Sequence, residues 1–447
     1  MNYLKRKALD LRLNPPAVLA IGFLALIIVG TLLLNTSLAT KSGESIGLVN
    51  ALFTASSSVC VTGLVVVNTA EYWSLFGQIV IIILIQIGGL GFMTMATSVA
   101  LIMGKRIRLR ERLIIKEQLN QETVGGLVKL TKYVIFITLA IEAMGALFLS
   151  FRLIPLYGTV KGIWFSIFHS ISAFCNAGFD IFGNSITPFA GDLFVNMVFS
   201  LLIILGGLGF SVYIDVYRKK RIRNFNLHSK FVLSITGILL LLGTVLFFLV
   251  EYNNAFTIRD FTLPKKLLAS FFQSTVTRTA GFNSVDISAI RDTSAFLFII
   301  FMFIGGSPGS TAGGIKTTTF GTIVLTTIST IRGKKDVGIF NRRINDNVIN
   351  KSLAIIMIGI TWILLVSLIL TITENAVFLD LLFETTSAFA TVGLTRGVTP
   401  SLSTIGKILI TLTMYIGRVG ALTMAFAFGK ARKQKKFRDA EGNIIVG

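Results

Sequence analysis

The sequence predicts an all-α polytopic membrane protein made of four similar quarters, with eight full transmembrane spans. Three observations predict it. Of the 447 residues, 53% are hydrophobic and 14% charged, and Val18 to Leu34, Ile79 to Met95 and Phe231 to Val250 carry no charge over lengths that cross a bilayer as helices. A small-residue segment ending in glycine recurs at roughly 110-residue intervals, at Gly63, Gly178, Gly281 and Gly393. The basic residues, finally, gather between these quarters rather than within them.

The chain starts with Lys5-Arg6-Lys7 and Pro15-Pro16, followed by a full-length apolar stretch without a small-residue cleavage site, so the first hydrophobic run reads as a retained span. A net charge of +21 raises the question of nucleic acid, but its distribution argues against such a partner. Most of the 42 Lys and Arg lie in the N-terminal tail, in linkers around Lys105 to Lys132, Arg218 to Lys230 and Arg332 to Lys351, and in the tail Lys430 to Arg438. The positive-inside rule then puts both termini and all three linkers in the cytoplasm, on a multi-pass protein of the cell membrane. The predicted units are 1–104, 105–218, 219–332 and 333–429, with a cytoplasmic tail at 430–447.

Each unit has three apolar stretches. They are about Ala17 to Leu34, Gly47 to Ser58 and Leu75 to Met103 in the first, and Leu127 to Phe151, Gly162 to Phe174 and Leu193 to Val216 in the second. The third has Phe231 to Val250, Lys266 to Val276 and a stretch from Ala295; the fourth has Leu353 to Ile372, Phe378 to Phe389 and Ile405 to Phe428. The middle stretch is too short to cross and ends at the glycine segment, as a re-entrant helix would. Irregular backbone at that depth is tolerated where it lines a water-filled cavity. Each quarter therefore reads as span, pore helix, filter loop and span around a central pore.

The candidate ion-binding residues are Val61, Thr62 and Gly63; Asn176, Ala177 and Gly178; Thr279, Ala280 and Gly281; and Thr391, Val392 and Gly393. Rings of backbone carbonyls replace a cation's hydration shell without formal charge, and glycine permits the required backbone angles without a side chain in the path. One such glycine alone reads equally as a helix C-cap or packing residue. Four at equivalent places favour the filter.

The third quarter carries a different feature, Gly305-Gly306-Ser307-Pro308-Gly309-Ser310-Thr311-Ala312-Gly313-Gly314-Ile315-Lys316. Its glycines and proline make a continuous helix improbable, so a helix broken near mid-membrane is expected, with a flexible loop facing the pore. In the other quarters, the Gly-Gly-Leu-Gly and Gly-Arg-Val-Gly clusters are expected to be carried within a helix. Gly309 to Lys316 nearly matches a phosphate-binding loop, but Ile315 separates Gly314 from Lys316 and no strand precedes it. Gly305, Gly306, Gly309, Gly313, Gly314, Lys316 and Arg418 are the candidate gating residues. Lys316 reads equally as snorkelling to the interface. Arg418, with about ten further helical residues expected beyond it, faces the pore or a polar partner, and a positive charge there is a barrier to cations.

Glu142 is the intramembrane acid nearest in depth to Arg418. Cys60 and Cys175 read as small apolar residues on the filter segments, and His169 and His228 as structural. Glu44, Glu71, Asp180, Asp192, Asp260, Asp286, Asp292 and Glu384 are placed on the outer side, where acids concentrate cations or merely face solvent. No carboxylate pair, metal cluster or nucleophile–base set indicates an enzyme.

With these segments the chain resembles the Trk/Ktr/HKT superfamily of cation transporters, and within it the membrane subunit of Ktr potassium-uptake systems. The resemblance rests on the four filter segments, with Ile87-Gly88-Gly89-Leu90-Gly91-Phe92, Gly206-Gly207-Leu208-Gly209-Phe210 and Ile416-Gly417-Arg418-Val419-Gly420. It covers nearly the whole chain, and the first span near residue 17 fits the Ktr type, since Trk-type members carry extra preceding spans. It implies a K+-conducting pore with K+ at the filter, no cofactor in this chain, Na+ as a candidate coupling ion for symport, a homodimer, and a cytoplasmic nucleotide-binding (RCK-type) regulatory ring. Glycine at position 63, where sodium-preferring plant members have serine, implies K+ permeation. The basic cytoplasmic face suits membrane lipid or an acidic partner. A secondary transporter of another cation or small solute is the alternative and would need inverted repeats.

Overall fold

The computed structural model describes residues 15–91, 93–97, 107, 109–118, 125–420 and 423–424. The basic residues Lys5 to Arg12, Lys105, Arg106 and Arg108, Phe92 of the first glycine cluster, and the tail 430–447 lie outside them. The first quarter contains α1 (Pro15–Leu34), α2 (Leu48–Cys60) and α3 (Leu75–Leu90), followed by a linker helix α4 (Leu109–Gln118). The second contains α5 (Leu127–Tyr157), α6 (Thr159–Phe174), α7 (Leu193–Leu208) and α8 (Phe210–Lys219). The third has α9 (Leu227–Glu251), α10 (Leu263–Val276), α11 (Asp292–Phe303) and α12 (Thr317–Ile331). A small antiparallel hairpin of β1 (Gly338–Ile339) and β2 (Arg342–Arg343) leads to α13 (Asp346–Thr373), α14 (Phe378–Ala390) and α15 (Thr404–Val419).

Local sequence sets where these helices begin. The third helix of three quarters opens on a side-chain cap: Ser74 Oγ accepts from the Gly77 amide, Asp192 from Phe194 and Val195, and Ser403 Oγ from Gly406. Each cap satisfies amides that the first helical turn leaves unpaired. The four long helices α1, α5, α9 and α13 are predominantly apolar, and their outward faces stay exposed, as at Leu32 (61%), Phe136 (74%), Leu241 (68%) and Leu368 (64%). Leu and Phe left outside over whole helix faces suit lipid rather than water.

Packing closes the four quarters on one another. The helix that follows each glycine segment lies against the short helix of the next quarter: α3 on α6, α7 on α10 and α11 on α14. The last, α15, returns to α2 of the first. Side chains bridge the joints, with Trp164 Nε1 donating to Gln78 Oε1 at 2.9 Å and Lys407 Nζ to Asn50 Oδ1 at 3.0 Å. Buried core residues such as Phe53, Phe168, Phe272 and Phe383 come one from each short helix.

By length and hydropathy, α1, α5, α9 and α13 are long enough to span a bilayer, and α7 with α8 makes a fifth if their 95° bend is counted within one span. The expected broken helix in the third quarter is present as α11 and α12, separated by residues 304–316. The expectation that the other glycine clusters ride within continuous helices is corrected. Among the described residues α3 stops at Gly91, α7 at Gly209 and α15 at Gly420, with φ of 82°, 89° and 93°. Those angles lie outside the helical region and suit glycine, so the last glycine of each cluster ends its helix.

Candidate functional site

The four glycine segments share one backbone conformation. The residue two before each glycine is left-handed, with φ of 58° at Val61, 59° at Asn176, 69° at Thr279 and 51° at Thr391, and the glycines follow at 91°, 70°, 72° and 92°. Three of those four non-glycine residues are β-branched, for which this region is a true outlier, so surrounding contacts must impose it. The amides of Thr62, Ala177 and Val392 donate back to the carbonyls of Ser57, Ser172 and Ser387, each at 2.8 Å, and that of Ala280 to Val276 at 3.0 Å. The Gly63 and Gly393 amides donate to the Ser57 and Ser387 hydroxyls at 3.1 Å. The donors are thus turned back toward the short helices.

The glycines meet in a closed cycle. A Cβ added to Gly63 would lie 2.5 Å from the Ala177 carbonyl oxygen and 3.0 Å from Gly178 Cα. One added to Gly178 would lie 2.7 Å from Gly281 Cα and 3.0 Å from the Ala280 oxygen, and one on Gly281 would lie 2.7 Å from the Val392 oxygen. At Gly393 it would collide with the Thr62 oxygen, returning to the first quarter. The carbonyl preceding each glycine therefore abuts the glycine of the previous quarter, and a side chain at any of the four positions meets main-chain atoms.

Around this cycle α2, α6, α10 and α14 end at Cys60, Phe174, Val276 and Ala390, so the negative ends of four helix dipoles converge there. The hydroxyls of Thr62, Thr279 and Thr391 are buried and lack a protein partner among the described residues. An uncharged oxygen-lined ring of this kind can take over part of a cation's hydration shell. Sequence patterning carried a further signal, a hydroxyl residue six positions before every glycine: Ser57, Ser172, Thr275 and Ser387.

The segment 304–316 is bonded to its surroundings rather than free. The Ser307 and Thr311 amides donate to the carbonyls of Gly207 and Gly206 at 3.0 and 3.2 Å, and the Phe210 amide donates to Gly309 at 2.9 Å. The Thr311 hydroxyl lies 3.0 Å from both the Phe174 and Gly206 oxygens. Within the segment, the Gly305 and Gly306 amides donate to Ile315 and Gly313. A Cβ added to Gly313 would collide with Thr391 Oγ1, and one added to Gly314 would lie 3.3 Å from the Ala390 carbonyl oxygen. This corrects the expectation of a flexible loop: an interrupted helix in an apolar setting must pair the main-chain groups it frees. Thr311, absent from the sequence-derived candidates, joins this segment to the second quarter through both its amide and its hydroxyl, alongside the bonds at Ser307 and Gly309.

Lys316 turns back on the same segment, donating to Ala312 at 2.8 Å and Gly313 at 3.4 Å. Arg418 donates to the carbonyls of Thr311, Gly88 and Gly89. It is the penultimate residue of α15, which is interrupted at Gly420; Thr423 and Met424 are again helical, and the rest of the helix expected beyond it lies outside the described residues. A cavity of about 200 Å³ opens beside the segment, lined among others by Gly309, Ser310, Gly314, Lys316 and Arg418.

The remaining candidates separate. Glu142 lies with Gln86 and Cys175, not against Arg418, which is occupied by carbonyls. Glu384 is fully buried on α14, bonded to Thr395 and Thr399, rather than facing solvent. Asp192 caps α7 and pairs with Arg152 at 2.7 Å. His169 is buried, with Nδ1 2.7 Å from the Phe165 carbonyl and Nε2 accepting from the Ile181 amide, a structural role that fixes its neutral tautomer. Cys60 and Cys175 are buried and unpaired.

The family model described as TrkH, cation transport protein, matches residues 15–440. The chain is 45% identical over 436 residues to Ktr system potassium uptake protein B of Bacillus subtilis, covering 98% of this chain and 97% of that protein. It is 41% identical over 448 residues to the potassium/sodium uptake protein NtpJ of Enterococcus hirae, covering 99% of each. The crystal structure of the potassium transporter TrkH from Vibrio parahaemolyticus matches with a TM-score of 0.72 at 17% identity, over 92% of this chain and 85% of that one, a likeness of fold.

Proposed function

The chain belongs to the TrkH family of cation transport proteins, and on that premise we propose that it is the membrane subunit of a potassium-uptake system whose cation pathway runs through the ring of Gly63, Gly178, Gly281 and Gly393. The observation that carries this reading is the cyclic contact of the four glycines, each against the preceding-residue carbonyl of the next quarter. K+ is the cargo, and Na+ is the candidate coupling ion, since the Enterococcus relative is named as a potassium/sodium uptake protein. The units 1–104, 105–218, 219–332 and 333–429 each contribute two crossings to make eight, the second crossing being bent or broken at its glycines. Both termini face the cytoplasm.

Residues 305–316 form the gate, with Arg418 as its latch, supported by the bonds that tie Thr311 to α15 and α7. Two such chains form a homodimer, and a cytoplasmic nucleotide-binding ring docks on the basic linkers to move the gate. Uptake of Rb+ by potassium-transport-deficient cells expressing this chain, with and without a cytoplasmic regulator, tests the proposal. Saturable uptake that the regulator raises is expected; uptake no greater than in empty-vector cells overturns it. In the reconstituted complex, flux responds to ATP against ADP while the membrane subunit alone binds neither. Nucleotide binding by this chain alone contradicts the division of labour.

A further inference from the structure

The limb of chain leading away from each ring glycine is fastened to a neighbouring quarter at three of the four joints. Between the first and second quarters, Asn68 Nδ2 donates to the Gly183 carbonyl at 3.1 Å. Between the second and third, the Asn283 amide donates to Ser185 Oγ at 2.9 Å and the Ile186 amide to the Asn283 carbonyl at 3.2 Å. Between the third and fourth the fastening is ionic. Arg396, three residues after Gly393, places Nη2 3.0 Å from Asp292 Oδ1 at the start of α11 and Nη1 2.7 Å from Asp380 Oδ1 in the first turn of α14. Nη2 also lies 3.5 Å from the Ile290 carbonyl oxygen.

The two acids have a local explanation and the arginine does not. Asp292 and Asp380 sit in first helical turns, where the positive end of the helix dipole favours a carboxylate. Arg396 stands where the other quarters bury a neutral residue, Val66, Ile181 or Ser284, counted from their glycines. Its side chain is only 12% exposed, and a guanidinium keeps its charge. Enclosing a permanent charge is costly unless it is paired, so Asp380, itself half-buried, is the partner that keeps Arg396 in place. From there the same group reaches across to the exposed Asp292, a pair that alone contributes little. Thr395 and Thr399 tie the limb to Glu384 within the fourth quarter, whereas Arg396 ties it to the third. The ring makes its own contact at this joint, since the Val392 carbonyl directly before Gly393 abuts Gly281.

We propose that Arg396 is a positioning residue for the cation pathway: held by Asp380 and reaching Asp292, it pins the limb after Gly393 across the joint of the third and fourth quarters, and so fixes the place of the Val392 carbonyl in the ring. This rests on the reading of the ring as the cation path. Arg396 acts through the two residues that separate it from Gly393, Leu394 and Thr395, and needs no contact with the ion. Displacing a ring carbonyl by a fraction of an ångström changes how well the ring replaces one cation's hydration shell against another's, so the quantity Arg396 governs is ion preference.

The test is the half-saturating concentration of Rb+ and of Na+ for uptake by the full chain with its regulator, with membrane abundance measured alongside. Arg396→Gln is expected to lower the preference for Rb+ over Na+ about fivefold, and Arg396→Lys to keep most of it, since a lysine still pairs with Asp380. Asp380→Asn should shift the preference the same way, and combining it with Arg396→Gln should do no worse than the more affected single variant, because both remove one interaction. Losses that simply add overturn the inference. So do half-saturating concentrations of both ions that shift by the same factor, since charge then acts through its field alone. An unaltered preference, with or without a fall in abundance, also overturns it and leaves the ion pairs a structural role. If Arg396→Gln does not reach the membrane, Asp292→Asn at its exposed site reads the joint: a shift of about twofold in the same direction is expected, and none overturns the inference. Gly63→Ser is run in parallel. If it leaves the preference unaltered, the ring reading itself fails; if it shifts the preference and Arg396→Gln does not, only the role of Arg396 fails.

Discussion

The guanidinium of Arg418, one residue from the end of α15, donates to the main-chain carbonyl of Thr311 in the interrupted third-quarter segment. The same group holds the Gly88 and Gly89 carbonyls at the end of α3. Arg418 therefore joins the first, third and fourth quarters at one point, through oxygens exposed because the α3 end and the segment 304–316 are not continuous helix. A planar guanidinium suits this task, since its divergent donors reach several acceptors at once.

Replacing Arg418 by Gln should release Thr311 and favour the conducting state. We expect Rb+ flux in the absence of a regulator to rise several-fold in proteoliposomes. Arg418→Lys, with one compact donor group, should fall between wild type and Gln. Flux no higher than wild type in both would remove Arg418 from the gate.

Thr311→Val keeps shape but deletes the hydroxyl shared between the Phe174 and Gly206 carbonyls, while its amide bond to Gly206 remains. A lost buried hydrogen bond of this kind costs about 1 kcal/mol, which shifts a two-state gate about fivefold. Regulator-independent uptake should increase accordingly. A decrease at normal membrane abundance would point to a scaffold role.

Gly63→Ser adds a side chain at φ 91° within 2.5 Å of the Ala177 carbonyl oxygen, so the first and second segments must shift apart. The expected result is a lower preference for K+ over Na+, read from competitive uptake of the two ions. The same preference as wild type would exclude Gly63 from the selective ring.

Gly417→Ala places a methyl group on the Phe389 carbonyl where α15 crosses the end of α14. Overpacking at a main-chain contact costs roughly 1–3 kcal/mol. The purified protein should melt at lower temperature, and the ion preference should stay as in wild type. An unchanged melting temperature would show that α15 shifts freely against α14.

Much of this was legible from residues alone because it depends on local chemistry. The short helices end within a residue or two of the expected positions, since Gly63, Gly178, Gly281 and Gly393 and the preceding apolar stretches report backbone requirements that act within one turn. The break between α11 and α12 followed from the glycines and Pro308 for the same reason. The similarity of the chain to TrkH-type cation transport proteins was likewise carried by contiguous motifs.

Other properties are not local. That Gly281 faces the Val392 carbonyl and Gly393 the Thr62 carbonyl depends on α15 returning to α2, a contact between the two ends of the chain. The bonded state of residues 304–316 depends on carbonyls that become available when α7 stops at Gly209, and the glycines there read equally well as part of a helix until packing chose between them. Depth made Glu142 the intramembrane acid nearest Arg418 without showing whether the two meet, and three-dimensional packing put main-chain oxygens around one and Gln86 with Cys175 around the other. Sequence by itself determined which backbone segments can be strained, broken or buried, because those limits reside in individual residues. Tertiary structure alone decided which of those segments face one another, because contact between distant residues is set by the closure of the whole ring.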